Sequence, residues 1–152
     1  MLTREDVTVT LNFKTFDELS TTELFEIVRS RFAIFVLEQN MHCPEFDDTD
    51  YTALHGFLEE SGTVMAYLRL FETEAGVVKI GRVLSLVHKK GLGREIMQAA
   101  IEKAKAHFAC RKIVVHAQKR AEGFYEKLGF KTLTEPYMED GVLHVTMELQ
   151  TP

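Results

Sequence analysis

Residues 88–94 read His-Lys-Lys-Gly-Leu-Gly-Arg, and they stand between an apolar run and a long amphipathic stretch. A basic, glycine-containing turn that opens a helix is an anion site. The first amides of a helix have no acceptor inside it, and the macrodipole adds partial positive charge there. Gly91 and Gly93 let the backbone come close to a phosphate, while His88, Lys89, Lys90 and Arg94 add charge. Leu92 is the apolar residue between the two glycines. A Walker A loop would need Gly-x-x-x-x-Gly-Lys-Ser/Thr, and a Rossmann fingerprint would need a third glycine; neither pattern is present. A tight strand-to-helix turn with solvated lysines stays open as the other reading.

The elements that must position this turn follow from periodicity. Residues 6–13 alternate Val7, Val9, Leu11 and Phe13 on one side, which predicts a half-buried strand. Ser20-Thr21-Thr22-Glu23 is a capping-box pattern, with Leu19 and Leu24 at the staple positions around it. Leu24, Val28, Phe32 and Phe35 then recur at helical spacing, predicting a helix over 21–37. Residues 39–52 have turn formers and no period. Strands are predicted over 53–60, 63–72 and 77–87, separated by turns at Glu60-Ser61-Gly62 and Glu74-Ala75-Gly76. In 63–71, Val64, Ala66, Leu68 and Leu70 oppose Met65, Tyr67, Arg69 and Phe71.

A helix is predicted over 92–108, with Leu92, Ile96, Ala100, Ile101, Ala104 and Phe108 inward. A buried strand over 112–117 follows, then a short helix over 119–128 that stops at Gly129. The last strands fall near 130–135 and 142–149, where Leu143, Val145, Met147 and Leu149 alternate with His144, Thr146 and Glu148. Strand-turn-strand steps make neighbours antiparallel, and the strand-helix-strand step from about 80 to 117 is a right-handed parallel crossover. The expected class is α/β (α+β) with a mixed sheet and helices on both faces. Residues 1–152 read as a single domain, since the chain shows no repeat, linker or low-complexity stretch.

The turn resembles the Gln/Arg-x-x-Gly-x-Gly/Ala motif of GNAT acetyltransferases, with His88 in the first place and a shorter stretch than usual between Arg82 and Gly91. Phe124-Tyr125-Glu126-Lys127-Leu128-Gly129-Phe130 is similar to the family's later helix, which carries a Phe-Tyr pair and ends in Leu-Gly-Phe. Arg31-Phe-Ala-Ile-Phe-Val-Leu-Glu-Gln39 resembles a segment of ElaA-like members, as do Ala117-Gln118 and Tyr137-Met-Glu-Asp-Gly141-Val-Leu-His144. Four blocks in register over about 20–149 are far more specific than any one of them.

The resemblance implies the GNAT (acyl-CoA N-acyltransferase) fold with a splayed sheet. It also implies acetyl-CoA as co-substrate and direct attack by an amine in a ternary complex. Residues 88–94 would cradle the pyrophosphate. Backbone groups of Val83 and Leu84 would pair with pantetheine like an added strand. Tyr125 would lie near the CoA sulfur and protonate the leaving thiolate, its ordinary pKa of about 10 suiting that donation; a core aromatic is the plainer reading. Glu38 stands at the end of the first helix, against the dipole, either as the base for the amine or as an acceptor for the loop, with Arg31 as a pairing partner. His116, Gln118 and His144 are strand residues that suit substrate contacts or a base, or else half-buried structural roles. Arg82 in mid-strand needs an acidic partner or a splayed strand.

Glu45, Asp47, Asp48 and Asp50 crowd one loop. A solvated loop is the preferred reading; attraction of a cationic amine, or a metal held with His42 and Cys43, are the alternatives. No metal is expected, because nothing in the spacing demands convergent ligands. Lys plus Arg total 18 against 23 acids, a net charge of −5, which speaks against nucleic acid as the main partner. No apolar run approaches the ~20 residues of a membrane span, and no apolar leader opens the chain. Two distant cysteines, Cys43 and Cys110, read as free thiols in a reducing cytoplasm. The expected partner is a small-molecule amine, and the chain is compatible with a homodimer. The rival functions are a CoA-binding regulatory module without turnover, and a partner-binding domain with a vestigial pocket.

Overall fold

The computed structural model describes residues 9–87 and 91–152. Within them the order is β1 (Val9–Thr15), α1 (Thr21–Arg31), α2 (Thr49–Thr52), β2 (Leu54–Glu60), β3 (Thr63–Glu74), β4 (Val77–Ser85), α3 (Leu92–Phe108), β5 (Lys112–Gln118), α4 (Glu122–Glu126), β6 (Lys131–Thr132), β7 (Tyr137–Glu139) and β8 (Val142–Gln150). His88, Lys89 and Lys90 of the basic turn, and Val7 of the first strand, lie outside the described residues. The strands form one mixed sheet in the order β1-β2-β3-β4-β5-β8-β6, with β7 paired to β8. The β4–β5 pair is parallel, as the crossover rule requires, and its other neighbours are antiparallel. The expected fold class is the observed one.

Successive residues of a strand face opposite sides, so each side of β3 feeds a different core. Ala66, Leu68 and Leu70 pack with Ile96, Met97 and Ala100 of α3. Tyr67 packs with Ile27, Ile34 and Phe35 from the α1 side. One expected alternation breaks: Val64 joins Tyr67 rather than Leu68. The register slips between Leu58 and Glu59, leaving Met65 as the extra residue, and a bulge exchanges the faces on either side of it.

α1 starts as predicted. Ser20 Oγ accepts from Glu23 N at 3.0 Å, and the Glu23 carboxylate accepts from Ser20 N at 2.8 Å. The predicted single helix to 37 is corrected, because from Phe32 to Glu38 the chain winds as a π-helix. The wider turn changes which residues face inward. Ile34 and Phe35 are buried, whereas Phe32, expected inside, is 45% exposed. Leu11 on the edge strand β1 and Leu143 beside the β7–β8 turn, also expected inside, are exposed. The predicted strand over 130–135 shrinks to β6, and β7 has no counterpart among the predicted elements. Asp140 and Gly141, both at positive φ, fold β7 back on β8 as a tight hairpin.

The acidic loop is also corrected. It is not a solvated loop but the lid of a buried ion cluster. Arg31 is 2% exposed; its Nε donates to Glu45 Oε1 at 2.8 Å, its Nη1 to Asp50 Oδ1 at 2.6 Å and its Nη2 to the Glu45 carbonyl at 2.6 Å. Arg69 Nη1 donates to Asp47 at 2.6 Å and to Asp50 at 2.9 Å. Buried guanidinium groups need such partners, since an unpaired buried charge costs far more than a pair. His55 adds a stitch. Its Nε2 donates to the Asp50 carbonyl at 2.8 Å, which leaves Nδ1 to accept from the Tyr67 hydroxyl at 2.7 Å.

Candidate active site

β4 and β5 pair only through Val77–Lys79 and Lys112–Val114, then diverge. The divergence opens a cleft of about 290 Å³, walled by the second halves of both strands, the end of the π-helix, α4 and the β7–β8 hairpin. β4 bends there. Tyr67 faces Leu84 and Arg69 faces Gly81, so Arg82 and Val83 together oppose Leu68, and Arg82 takes φ 55°. That bulge resolves the oddity of Arg82. Its Nε lies 3.0 Å from Glu45 Oε2, and its Nη2 lies 3.5 Å from Asp47 Oδ2. Val83 lines the cleft, and Leu84 is buried toward the α1 side.

The α3 N-terminus is built differently from that of α1. Gly91 occupies the cap position at φ 76° and offers no side chain to the amides behind it. The first helical bond runs from Glu95 N to the Gly91 carbonyl at 3.0 Å. The amides of Leu92, Gly93 and Arg94 therefore have no acceptor within the helix. A Cβ at Gly93 would meet only Phe124, at an ordinary 3.7 Å. Packing alone therefore does not demand glycine there. Arg94 is exposed and Leu92 is buried.

Tyr125 lines the same cleft from α4, its ring edge-on to Phe124 and Phe130. Burial pushes its phenol well above the ordinary tyrosine range, so the O–H is retained at neutral pH. His116, Gln118 and His144 also line the cleft, with Lys79 and Glu139. Gln118 Nε2 donates to Gln39 Oε1 at 2.9 Å, tying β5 to the end of the π-helix. His116 Nδ1 lies 3.3 Å from Lys79 Nζ, and burial together with the Lys79 charge lowers its pKa. Glu38 is exposed at the end of the π-helix, and the cleft wall is taken up by the next residue, Gln39.

The structure thus brings together Tyr125, Val83, Arg82, His116, Gln118 and His144 around one cleft, with Gly91–Arg94 opening α3 after β4, and sets Glu38 outside the wall. Sequence reasoning missed Glu139, Lys79 and Gln39. The signal for Glu139 was present in the Asp140-Gly141 turn, which makes residues 137–139 a strand beside β8. Among the described residues, no group of three or more His, Cys, Asp and Glu side chains is arranged to hold a metal, and no helix is long and apolar enough to cross a membrane.

Known proteins resemble this chain. The acetyltransferase (GNAT) domain family matches residues 29–151. A UPF0039 protein of Schizosaccharomyces pombe is 37% identical over 142 residues, covering 91% of this chain and 95% of its own. The protein ElaA of Escherichia coli is 31% identical over 136 residues, covering 86% and 89%. An acyl-CoA N-acyltransferase from Pseudomonas aeruginosa superposes with a TM-score of 0.86 at 30% identity, covering 93% of this chain and 99% of that one. With the family matched from the end of α1 to the last strand, and whole-length relatives on either side of the bacterial divide, the chain belongs to the GNAT acetyltransferase family, in its ElaA-like branch.

Proposed function

We propose that this protein transfers an acetyl group from acetyl-CoA to a primary amine of a small molecule or peptide, by direct attack within a ternary complex. The observation that carries the reading is the uncapped N-terminus of α3, whose Gly93 faces Phe124, the neighbour of Tyr125 in the cleft wall. The residues present fit the co-substrate. The amides of Leu92, Gly93 and Arg94 suit a pyrophosphate, and β4 beyond Lys79 has no β5 partner, which suits pantetheine as an added strand. His88, Lys89 and Lys90 belong to the same motif. Free thiols at Cys43 and Cys110 suit a reducing cytoplasm.

Acetyl-CoA supplies a thioester carbon: a C–N bond forms to the amine and the C–S bond breaks. Tyr125 gives its proton to the departing sulfur and recovers one from the acylated nitrogen. Its retained O–H is the state that this role needs. Arg82, held by Glu45 and Asp47, fixes the bend of β4 that opens the cleft rather than meeting substrate charge.

The test is thiol release from acetyl-CoA over a panel of primary amines (ethanolamine, putrescine, L-lysine and a glycyl peptide). Release with at least one amine is expected. Tight acetyl-CoA binding without release from any amine would replace this reading with a regulatory CoA-binding module.

A further inference from the structure

The acceptor end of the cleft holds a carboxylate with the wrong neighbours. Glu139 Oε2 lies 3.6 Å from His144 Nε2, and Glu139 Oε1 lies 3.4 Å from His116 Nδ1. Neither ring nitrogen is a ready donor. His144 Nδ1 lies 2.7 Å from the Val142 carbonyl, which can only accept; Nδ1 therefore carries a proton, and in the neutral ring Nε2 is a bare lone pair. His116 Nδ1 faces Lys79 Nζ at 3.3 Å, and an ammonium can only donate. In the neutral rings two lone pairs thus flank the carboxylate. Lys79 acts on Glu139 through its charge, but its Nζ is set against His116 Nδ1.

His144 is rigidly placed: it is 4% exposed, bonded to its own strand, and stacked on Tyr137 at 6.3 Å between ring centres. Glu139 is the more open member, its side chain 39% exposed. An anion and a fixed lone pair converging on one point lack a multi-proton cation between them. A protonated primary amine is that cation, and it must lose a proton before it can attack.

We infer that Glu139 and His144 form the amine station of this cleft: Glu139 binds the substrate ammonium, and His144 Nε2 takes its proton. The inference rests on the acyl-transfer reading above and names the base that it requires. An N–H bond of the ammonium breaks and an Nε2–H bond forms, giving imidazolium and neutral amine. The imidazolium then returns its proton to water. Both residues are catalytic in the strict sense, since each touches the reacting nitrogen. Lys79 and His116 complete the wall, and burial, with the Lys79 charge, keeps His116 from competing for the proton.

The experiment uses the full chain, with acetyl-CoA and the best acceptor of the amine panel. His144→Gln is expected to lower kcat by about 10²-fold, the usual scale for losing a general base. Glu139→Gln is expected to raise the amine KM at least about tenfold, about 1.4 kcal/mol of binding. Acetyl-CoA affinity should stay within about twofold in both. Nitrogen NMR of the imidazoles is expected to show neutral His144 as the Nδ1–H tautomer. Should His144→Gln fail to fold, the Glu139→Gln kinetics and the tautomer decide. Wild-type-like kinetics in the folded variants, or an Nε2–H tautomer, overturns the inference and leaves acyl transfer standing. A wild type that binds acetyl-CoA but never releases thiol overturns the acyl-transfer reading, and this inference with it.

Discussion

Arg82 leaves the extended region at φ 55° and sets its Nε 3.0 Å from a Glu45 carboxylate oxygen. A left-handed backbone costs a non-glycine residue about 1–2 kcal/mol, so the bulge of β4 needs this partner to persist. Glu45 in turn accepts from Arg31 at 2.8 Å, and Arg31 shares Asp50 with Arg69. The bend that opens the cleft is thus latched to the helix and loop on the far side of β3.

Arg31 is the member whose loss should be felt most. It is the largest of the nearly fully buried side chains, and no water can replace its contacts to Glu45 and Asp50. Arg31→Met is expected to destabilise the fold by about 1.5–3 kcal/mol, because Glu45 and Asp50 keep Arg82 and Arg69 but lose their buried bonds to Arg31. Equilibrium urea unfolding measures it. A loss below about 1 kcal/mol would show that the cluster is wetter than its geometry indicates.

The same cluster sets how stability depends on pH. The hydrogen bond from Arg69 holds Asp47 below the usual carboxylate range. Burial pushes Asp50 up, but its bonds and charge interactions with Arg31 and Arg69 outweigh that, and its pKa is lowered. Carboxylates depressed in the folded state add stability that is complete above their unfolded value of about 3.9 and is lost as pH falls through the folded values. Glu45 has the opposite sign, because burial raises it despite Arg31 and Arg82. Its contribution is present below its unfolded value of about 4.3 and fades as pH rises through the folded value. The melting temperature should therefore drop steeply only below about pH 4, and Asp47→Asn should flatten that drop. Thermal melts from pH 3 to 7 decide it, and a parallel acid slope in the variant would remove Asp47 from the account.

These arginines show what the amino-acid order carries and what it withholds. The capping box of Ser20 and Glu23 marks where α1 begins, because both halves of it are local. The splayed pair β4–β5 follows from a strand-helix-strand step, which has one favoured hand. The loop of Glu45, Asp47 and Asp50 reads as solvated in sequence because its partners, Arg31, Arg69 and Arg82, come from three other elements. A charge-rich loop looks the same in sequence whether its counter-ions are water or buried guanidinium. Tyr125 and the turn around Gly91 are legible through motif spacing. Glu139 is legible only as far as the Asp140-Gly141 turn that follows it, and its role arises when β7 folds onto β8.

Gly93 separates fold from ligand. A methyl group there would meet only Phe124, at 3.7 Å, and alanine is the better helix former by up to about 1 kcal/mol. Gly93→Ala is expected to leave the melting temperature unchanged or slightly raised. Acetyl-CoA affinity should stay within about twofold, because the motif that residues 88–93 resemble takes glycine or alanine at this place. Calorimetric titration with acetyl-CoA, run beside thermal melts, reads both. A tenfold loss of affinity in a stable variant would show that the ligand presses closer to Gly93 than the motif allows.

Tyr125 is tested by removing one oxygen. Its ring packs edge-on with Phe124 and Phe130, contacts that phenylalanine keeps. Among the described residues no hydrogen bond engages its hydroxyl, so Tyr125→Phe strands no partner and should leave stability within about 0.5 kcal/mol. If the O–H protonates the departing sulfur, kcat should fall by about 10²-fold with acetyl-CoA binding intact. Because burial holds the phenol above its ordinary value of about 10, the wild-type rate should show no alkaline decline from Tyr125 ionisation below that pH. Changing the leaving group separates proton delivery from positioning. An acyl donor whose leaving group needs no proton, such as an activated aryl thioester, should be turned over almost equally by wild type and Tyr125→Phe. An equal deficit with both donors would assign the tyrosine to positioning rather than proton delivery.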